Sequence, residues 1–587
     1  MKSLILFLLC TAQSSNTGEL TLEQKIGQLF AIPVPLSSPT SNLQKICATI
    51  NKYNVGSVVL DRMGTLKQHV FVVNYLQQHC INPPLIAQDL ENGLSMRLYD
   101  GLRFPKAQTC GAIQDDTLIY RMAQEIGREC KLLGVDINLA PVVDIITSKR
   151  SIIKERSYGE DPIQVTNKAR AFITGLQSQG IYACLKHFPG LGDAVSDPHL
   201  ALPIVTRDKT ALMQQDLYPF IQLAPLAHCI MSAHVRVPAY DDRPYCSATL
   251  SHTIITNILR KQIGYQGLII TDALRMEALT HYFGTAQLVL ESFNAGHDIL
   301  LFPQSISEAV AAVKTAVEEH TIDLQEIDKR VAKIEQTKNV LGVATKRPTG
   351  SSIRNSLYTA EVLELKKHLY QAAVTTLTLD KKALSLKKDS PVAYVQIGGT
   401  FDCALAQELE NYFSEISSII LEHNPRGCDI NELFDSTEHA ETVIVALFGT
   451  TSNSEFNYGI MPNTRIIVER LAQSKHVILV ICGSPYCLKD FEYIPTIIIA
   501  YEDDPDAQQA AANVITGSLI PSGRLPVTIS NRFKLGTGYL SETNKSDNID
   551  INLIKILSDG PDVSLNGSPT VSPTTAALCA SDPLPPR

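Results

Sequence analysis

Gly180-Ile181-Tyr182-Ala183-Cys184-Leu185-Lys186-His187-Phe188-Pro189-Gly190-Leu191-Gly192-Asp193-Ala194-Val195-Ser196-Asp197-Pro198-His199 reads as an apolar β-like run that empties into a loop crowded with titratable groups. Strands often close on Gly, Pro and Asp, so an ordinary turn explains part of the pattern. It does not explain Lys-His at the strand end or Asp-x-His at the far side. Titratable groups gathered on a loop that a rigid strand holds are the usual material of an active site. The loop is therefore read as catalytic.

Working outward, seven further apolar runs close on polar or turn residues: 29–32, 56–60, 85–89, 137–144, 229–234, 268–272 and 298–303. Helical patterns such as 117–133 and 250–262 lie between most of them, and Thr21 with Gln24 reads as a capping box opening a helix. An open doubly wound sheet would give the same alternation. Eight runs, with acidic and basic residues scattered over most of their C-terminal ends, favour a (β/α)8 TIM-like barrel. A second set of apolar runs, 392–397, 442–448, 477–481 and 496–501, fits a parallel sheet covered on both faces. The expected fold is α/β: an N-terminal barrel over 17–343, a linker over 344–358, and a C-terminal α/β sandwich domain over 359–530. A tail over 531–587 turns Ser/Pro/Thr-rich and is expected to be mostly disordered.

The 587 residues exceed one core. A net charge of -9 argues against nucleic acid as a partner, and no apolar run is long enough to span a membrane. The 13 cysteines show no metal-type spacing. Several, including Cys184, Cys229 and Cys482, lie in apolar runs as buried free thiols do, so a disulfide framework is not expected. Residues 1–16 carry Lys2 and then a short apolar core. Two readings stay open: a signal peptide of an exported or cell-envelope protein, or a hydrophobic extension of a cytoplasmic one.

Asp272 ends the run Leu268-Ile269-Ile270-Thr271 and precedes a helix start, so it suits either a nucleophile at a barrel mouth or a helix N-cap. Asp197 and His199 flank Pro198 and form an acid/base couple whose imidazole titrates near neutrality. Asp89, Glu91, Arg97, Arg156, Lys186 and His187 lie at or just after strand ends. Singly each is surface charge; together they offer the donors and acceptors that sugar hydroxyls need.

At these residues the sequence resembles glycoside hydrolase family 3, in its NagZ-like, two-domain β-N-acetylhexosaminidase branch. Lys186 to Asp193 with Asp197-x-His199 resembles that branch's KHFPGHGD…DSH signature, and Thr271 to Met276 resembles the segment bearing the family nucleophile. The resemblance implies Asp272 as nucleophile, His199 as general acid/base and Asp197 as the residue that orients His199. Asp89-Leu90-Glu91-Asn92-Gly93 with Arg97, and Arg156-Ser157-Tyr158-Gly159, are similar to the family's sugar-binding segments. They imply substrate contacts from Asp89, Arg97 and Arg156, joined by Lys186 and His187. The likeness runs from about residue 20 to 529. Three positions depart from the pattern: Leu191 for histidine, Asn92 for glycine and Pro198 for serine.

The implied activity is retaining, exo-acting removal of terminal β-linked N-acetylglucosamine from peptidoglycan-derived fragments, with neither metal nor cofactor. A phosphorylase, a β-glucosidase or xylosidase of the same family, and a non-catalytic cell-wall sugar-binding protein are the alternatives. The expected partner is a carbohydrate substrate.

Overall fold

The computed structural model describes residues 20–539 except 149–150, 193, 195–201, 346–352, 379–383 and 385. The expected N-terminal extension, residues 346–352 of the linker and the tail from 540 onward lie outside the described residues. So do Asp197, Pro198 and His199.

Eight parallel strands follow one another: β1 (Phe30–Pro35), β2 (Ser57–Asp61), β3 (Leu85–Gln88), β4 (Ile137–Asn138), β5 (Tyr182–Phe188), β6 (Cys229–Ser232), β7 (Leu268–Ile270) and β8 (Leu300–Leu301). Each pairs with its predecessor from β1 to β7, and β8 pairs with β1. A parallel bridge between Ile270 and Ile299, with Thr271 N–H donating to Ile299 O at 3.0 Å, closes the ring. The period of two is visible in the packing: Val58 and Leu60 join one apolar cluster and Val59 another, as do Ile86 against Leu85 and Ala87. Strands buried on both faces in this way read as continuous apolar runs.

The helices follow from local chemistry. Thr21 and Gln24 complete a capping box on Leu22–Gln28. Asp115 caps Asp116–Leu133, and Gly134 ends it in the left-handed conformation. The segment expected as an α-helix over 250–262 is instead a short 3-10 turn and a π-helix, Thr253–Gln262. Four consecutive β-branched residues, Thr253 to Thr256, crowd the turn there.

A second, six-stranded sheet holds β9 (Thr375–Thr378), β10 (Val392–Ile397), β11 (Ile416–Leu421), β12 (Thr442–Phe448), β13 (His476–Cys482) and β14 (Thr496–Ile499). Its order is β11-β10-β12-β13-β14-β9, parallel except for β9. The sequence reading finds β10 and β12 to β14 but misses β9 and β11. β11 is an edge strand whose Ser417 and Ser418 are exposed, and β9 is four residues with three threonines, so neither shows a long apolar run.

The two sheets belong to one compact unit. Glu502, just past β14, accepts from Arg103 at 2.7 Å, from Lys106 N–H at 2.8 Å and from Thr109 Oγ1 at 2.7 Å, all on the barrel. Further along, Arg524 N–H donates to Ala112 O at 3.0 Å, and Pro526 packs where only glycine fits. A Cβ on Gly111 would lie 2.9 Å from Pro526 Cβ, and one on Gly159 2.5 Å from Pro526 O. Among the described residues no helix is long and apolar enough to cross a membrane.

Candidate active site

The barrel's strand ends bring together most of the residues expected from the sequence. Just past β3, buried Leu90 separates Asp89 from Glu91, and both carboxylates meet Lys186 from the end of β5. Lys186 Nζ lies 2.9 Å from Asp89 Oδ1 and 2.8 Å from Glu91 Oε1, with its side chain only 2% exposed. Arg97 donates to Asp89 Oδ2 at 2.7 Å. Arg156 grips Glu91 with two parallel bonds, Nε to Oε2 at 3.0 Å and Nη2 to Oε1 at 2.6 Å. Three cations and two carboxylates thus form one connected cluster, the fork geometry of arginine fixing its outer member.

The electrostatics follow from this interleaving. Burial alone would raise Glu91, but Arg156 and Lys186 hold its carboxyl far below the ordinary range. Burial would likewise raise Asp89, and Lys186 and Arg97 outweigh it. Burial would neutralise Lys186, but the two carboxylates keep its pKa above the usual value. The cluster therefore stays fully charged at neutral pH.

His187 is held differently. Its Nδ1 donates to Asp144 Oδ2 at 2.7 Å, which fixes the tautomer and turns Nε2 to the other side of the ring. Asp144, wholly buried just past β4, also accepts the Leu191 N–H at 2.7 Å. Leu191 is itself buried, which accounts for an apolar residue where the family pattern has histidine. The turn beneath it needs its glycines. A Cβ on Gly190, at φ +125°, would meet Asp216 Cβ at 2.6 Å, and one on Gly192 would meet Ile145 O at 1.5 Å. The Asn92 departure is also accommodated, since the positive φ in that segment falls on Gly93 at +90°.

Asp272 stands two residues past the end of β7. Its backbone N–H donates to Ser232 O at 3.2 Å, and its Oδ1 accepts the Ala273 N–H at 2.7 Å. It caps no helix, because the next α-helix is Glu277–Thr280, with Met276 at its N-cap. Burial would raise its pKa, but His234, His187, the Ala273 N–H and Lys186 together hold the carboxyl below its ordinary value. His234 is buried past β6, its Nε2 donating to Ala273 O at 3.0 Å and its Nδ1 2.9 Å from Thr249 Oγ1. A half-buried, ionised carboxylate that accepts one backbone N–H and lies among cationic side chains is suited to nucleophilic attack on an electrophilic carbon.

Of the expected residues, Asp89, Arg97, Arg156 and Lys186 form the cluster, and His187 and Asp272 sit close enough to share its field. Two participants had no role assigned from sequence: Asp144 and His234. Each stands a few residues past a barrel strand, and that position is the signal that marks them.

Comparison with known proteins bears on the family of the chain. The model of the glycosyl hydrolase family 3 N-terminal domain matches residues 21–337, and that of the family's C-terminal domain matches residues 281–553. Beta-hexosaminidase A of Pseudoalteromonas piscicida is 28% identical over 549 residues, spanning 82% of this chain and 90% of its own. The beta-hexosaminidase of Nitrosomonas eutropha is 36% identical over 256 residues, spanning 40% of this chain and 73% of its own. Among solved structures, a family 3 beta-N-acetylglucosaminidase from Paenibacillus sp. str. FPU-7 superposes with a TM-score of 0.75 at 27% identity. It covers 87% of this chain and 99% of its own. With both domain models matched in order over the two sheets, the chain belongs to glycosyl hydrolase family 3.

Proposed function

We propose that the protein is a retaining, exo-acting β-N-acetylglucosaminidase that removes terminal β-linked N-acetylglucosamine, with peptidoglycan-derived fragments as the substrate class. The observation that carries this reading is Asp272: a half-buried carboxylate held in its charged form past β7, beside Lys186, His187 and His234. The relatives named beta-hexosaminidase support the choice of sugar.

In this reading Asp89, Arg97, Arg156, Lys186 and His187 bind the terminal sugar through its hydroxyls and orient it. A carboxylate oxygen of Asp272 attacks the anomeric carbon as the bond to the leaving oxygen breaks, and His199, oriented by Asp197, gives that oxygen its proton. The neutral His199 then takes a proton from water as the water oxygen displaces Asp272. Free sugar and the original carboxylate result.

The test is mass spectrometry of protein treated with a slow 2-fluoro N-acetylglucosaminide analogue. A covalent adduct on the peptide containing Asp272 supports the reading, and an adduct elsewhere, or none while aryl N-acetylglucosaminide is turned over, sinks it. Parallel assays with aryl glucoside, and with and without inorganic phosphate, separate the glucosidase and phosphorylase alternatives.

A further inference from the structure

One turn of the barrel joins the sugar-facing cluster to the second domain. The 3-10 turn Lys154–Arg156 follows β4, and its three consecutive side chains go to three different places. Arg156 makes the bidentate pair with Glu91, and Glu155 pairs with Lys106 at 2.5 Å. Lys154 turns away from the barrel mouth into the second domain. Its ammonium donates to Ser452 O and lies 5.4 Å from the Tyr458 ring centroid and 5.2 Å from that of Tyr486.

This pocket is built. Lys154, Tyr458 and Tyr486 are all buried, and the two rings are near-parallel at 22° with centroids 5.9 Å apart. Tyr486 Oη accepts from Gln108 on the barrel at 3.4 Å. Tyr458 takes its place at φ +54°, following Asn457 at +47°, a left-handed backbone that bulky side chains avoid. Strain of that kind persists where the surroundings over-determine it, and here it brings an aromatic face onto a buried cation. The far end of the same barrel segment is also tied down: Glu160 N–H donates to Pro526 O at 3.2 Å, and Thr528 N–H donates to Glu160 at 2.8 Å.

We propose that Lys154 is a positioning residue for Arg156, so that the second domain, through the Tyr458–Tyr486 cage, sets the orientation of one wall of the sugar site. Lys154 touches no reacting atom. It fixes the turn from which the Arg156 guanidinium reaches Glu91, and a loosened turn weakens the grip on substrate. The inference rests on the proposed sugar-binding role of Arg156.

The experiment is a double-mutant cycle on the full chain with aryl N-acetylglucosaminide. Lys154→Met is expected to lower kcat/KM roughly tenfold, mainly through KM, and to do so less than twofold in an Arg156→Ala background. Lys154→Arg, which keeps a cation beside the two rings, is expected to recover most of the loss. Equal losses in both backgrounds, or no loss in either, overturn the proposal. Should Lys154→Met fail to melt cooperatively, Tyr458→Leu removes one wall of the cage and enters the same cycle. A wild-type protein that turns over no N-acetylglucosaminide fails the functional reading itself, a separate result from an active enzyme indifferent to Lys154→Met.

Discussion

His187 and Asp144 are joined twice: the ring Nδ1 donates to Oδ2 at 2.7 Å and the backbone N–H lies 3.4 Å from Oδ1. One buried carboxylate thus fixes both the ring and the main chain of a residue that sits 43 positions away at the end of the neighbouring strand. An Asp144→Asn amide cannot accept at both positions, so the imidazole is left with the wrong tautomer or with no partner. The expected loss in kcat/KM is roughly 10- to 100-fold with the melting transition still cooperative. Steady-state kinetics beside a thermal melt checks this.

The Asp272 carboxyl is pulled below its ordinary value, so its ionised form persists as pH falls and is lost only on passing the lowered native pKa. The acid limb of kcat/KM is expected below about pH 4, the usual carboxylate value. His234→Gln withdraws the foremost of the opposing charges, leaving burial less contested, and should move that limb upward. A pH–rate profile of the two proteins decides it.

Glu91 gives a matching statement about stability. Burial raises it and Arg156 and Lys186 lower it further, so its native pKa lies below the unfolded one. The stabilisation is fully present above about pH 4.3 and is lost as pH falls towards the native value. Glu91→Gln is expected to cost about 3 kcal/mol at pH 7, because it leaves buried Lys186 short of a counter-charge. Urea titrations should show the gap from wild type narrowing at pH 3.

Glu129 is the opposite case. It is wholly buried on the helix Asp116–Leu133, and among the described residues neither carboxyl oxygen has a hydrogen-bond partner. Burial and Glu125 raise its pKa well above the usual value, against Arg128. Native protein then binds the proton more tightly than unfolded chain, so stability declines as pH rises from about 4.3 towards the native pKa. Glu129→Met should stabilise the protein by about 1–3 kcal/mol at pH 8 and flatten that decline. Chemical denaturation across pH measures both.

The parts legible in the sequence were those whose signal is local. The apolar runs at 85–88, 182–188 and 268–270 closed on Asp89, Lys186 and Asp272, so strand and site residue could be read together. The unread parts depend on distance. Nothing near Arg156 announces Glu91, 65 residues earlier, and nothing near Asp144 announces His187. Lys154 stands two residues before a recognisable motif and reads as surface charge, yet its partners come from the second domain some 300 residues on, with Ser452 at a separation of 298. Edge strand β11, half exposed, lacked the apolar run on which its neighbours were found.

The seat of Pro526 between Gly111 and Gly159 has a consequence for how the chain is made. Both glycines leave the ribosome hundreds of residues ahead of the proline that covers them, as does Ala112, whose carbonyl waits for the Arg524 N–H. A nascent barrel therefore carries an unfilled notch beside the turn that bears Arg156 throughout synthesis of the second domain. Maturation of the catalytic half is completed by a late-arriving strap from the other.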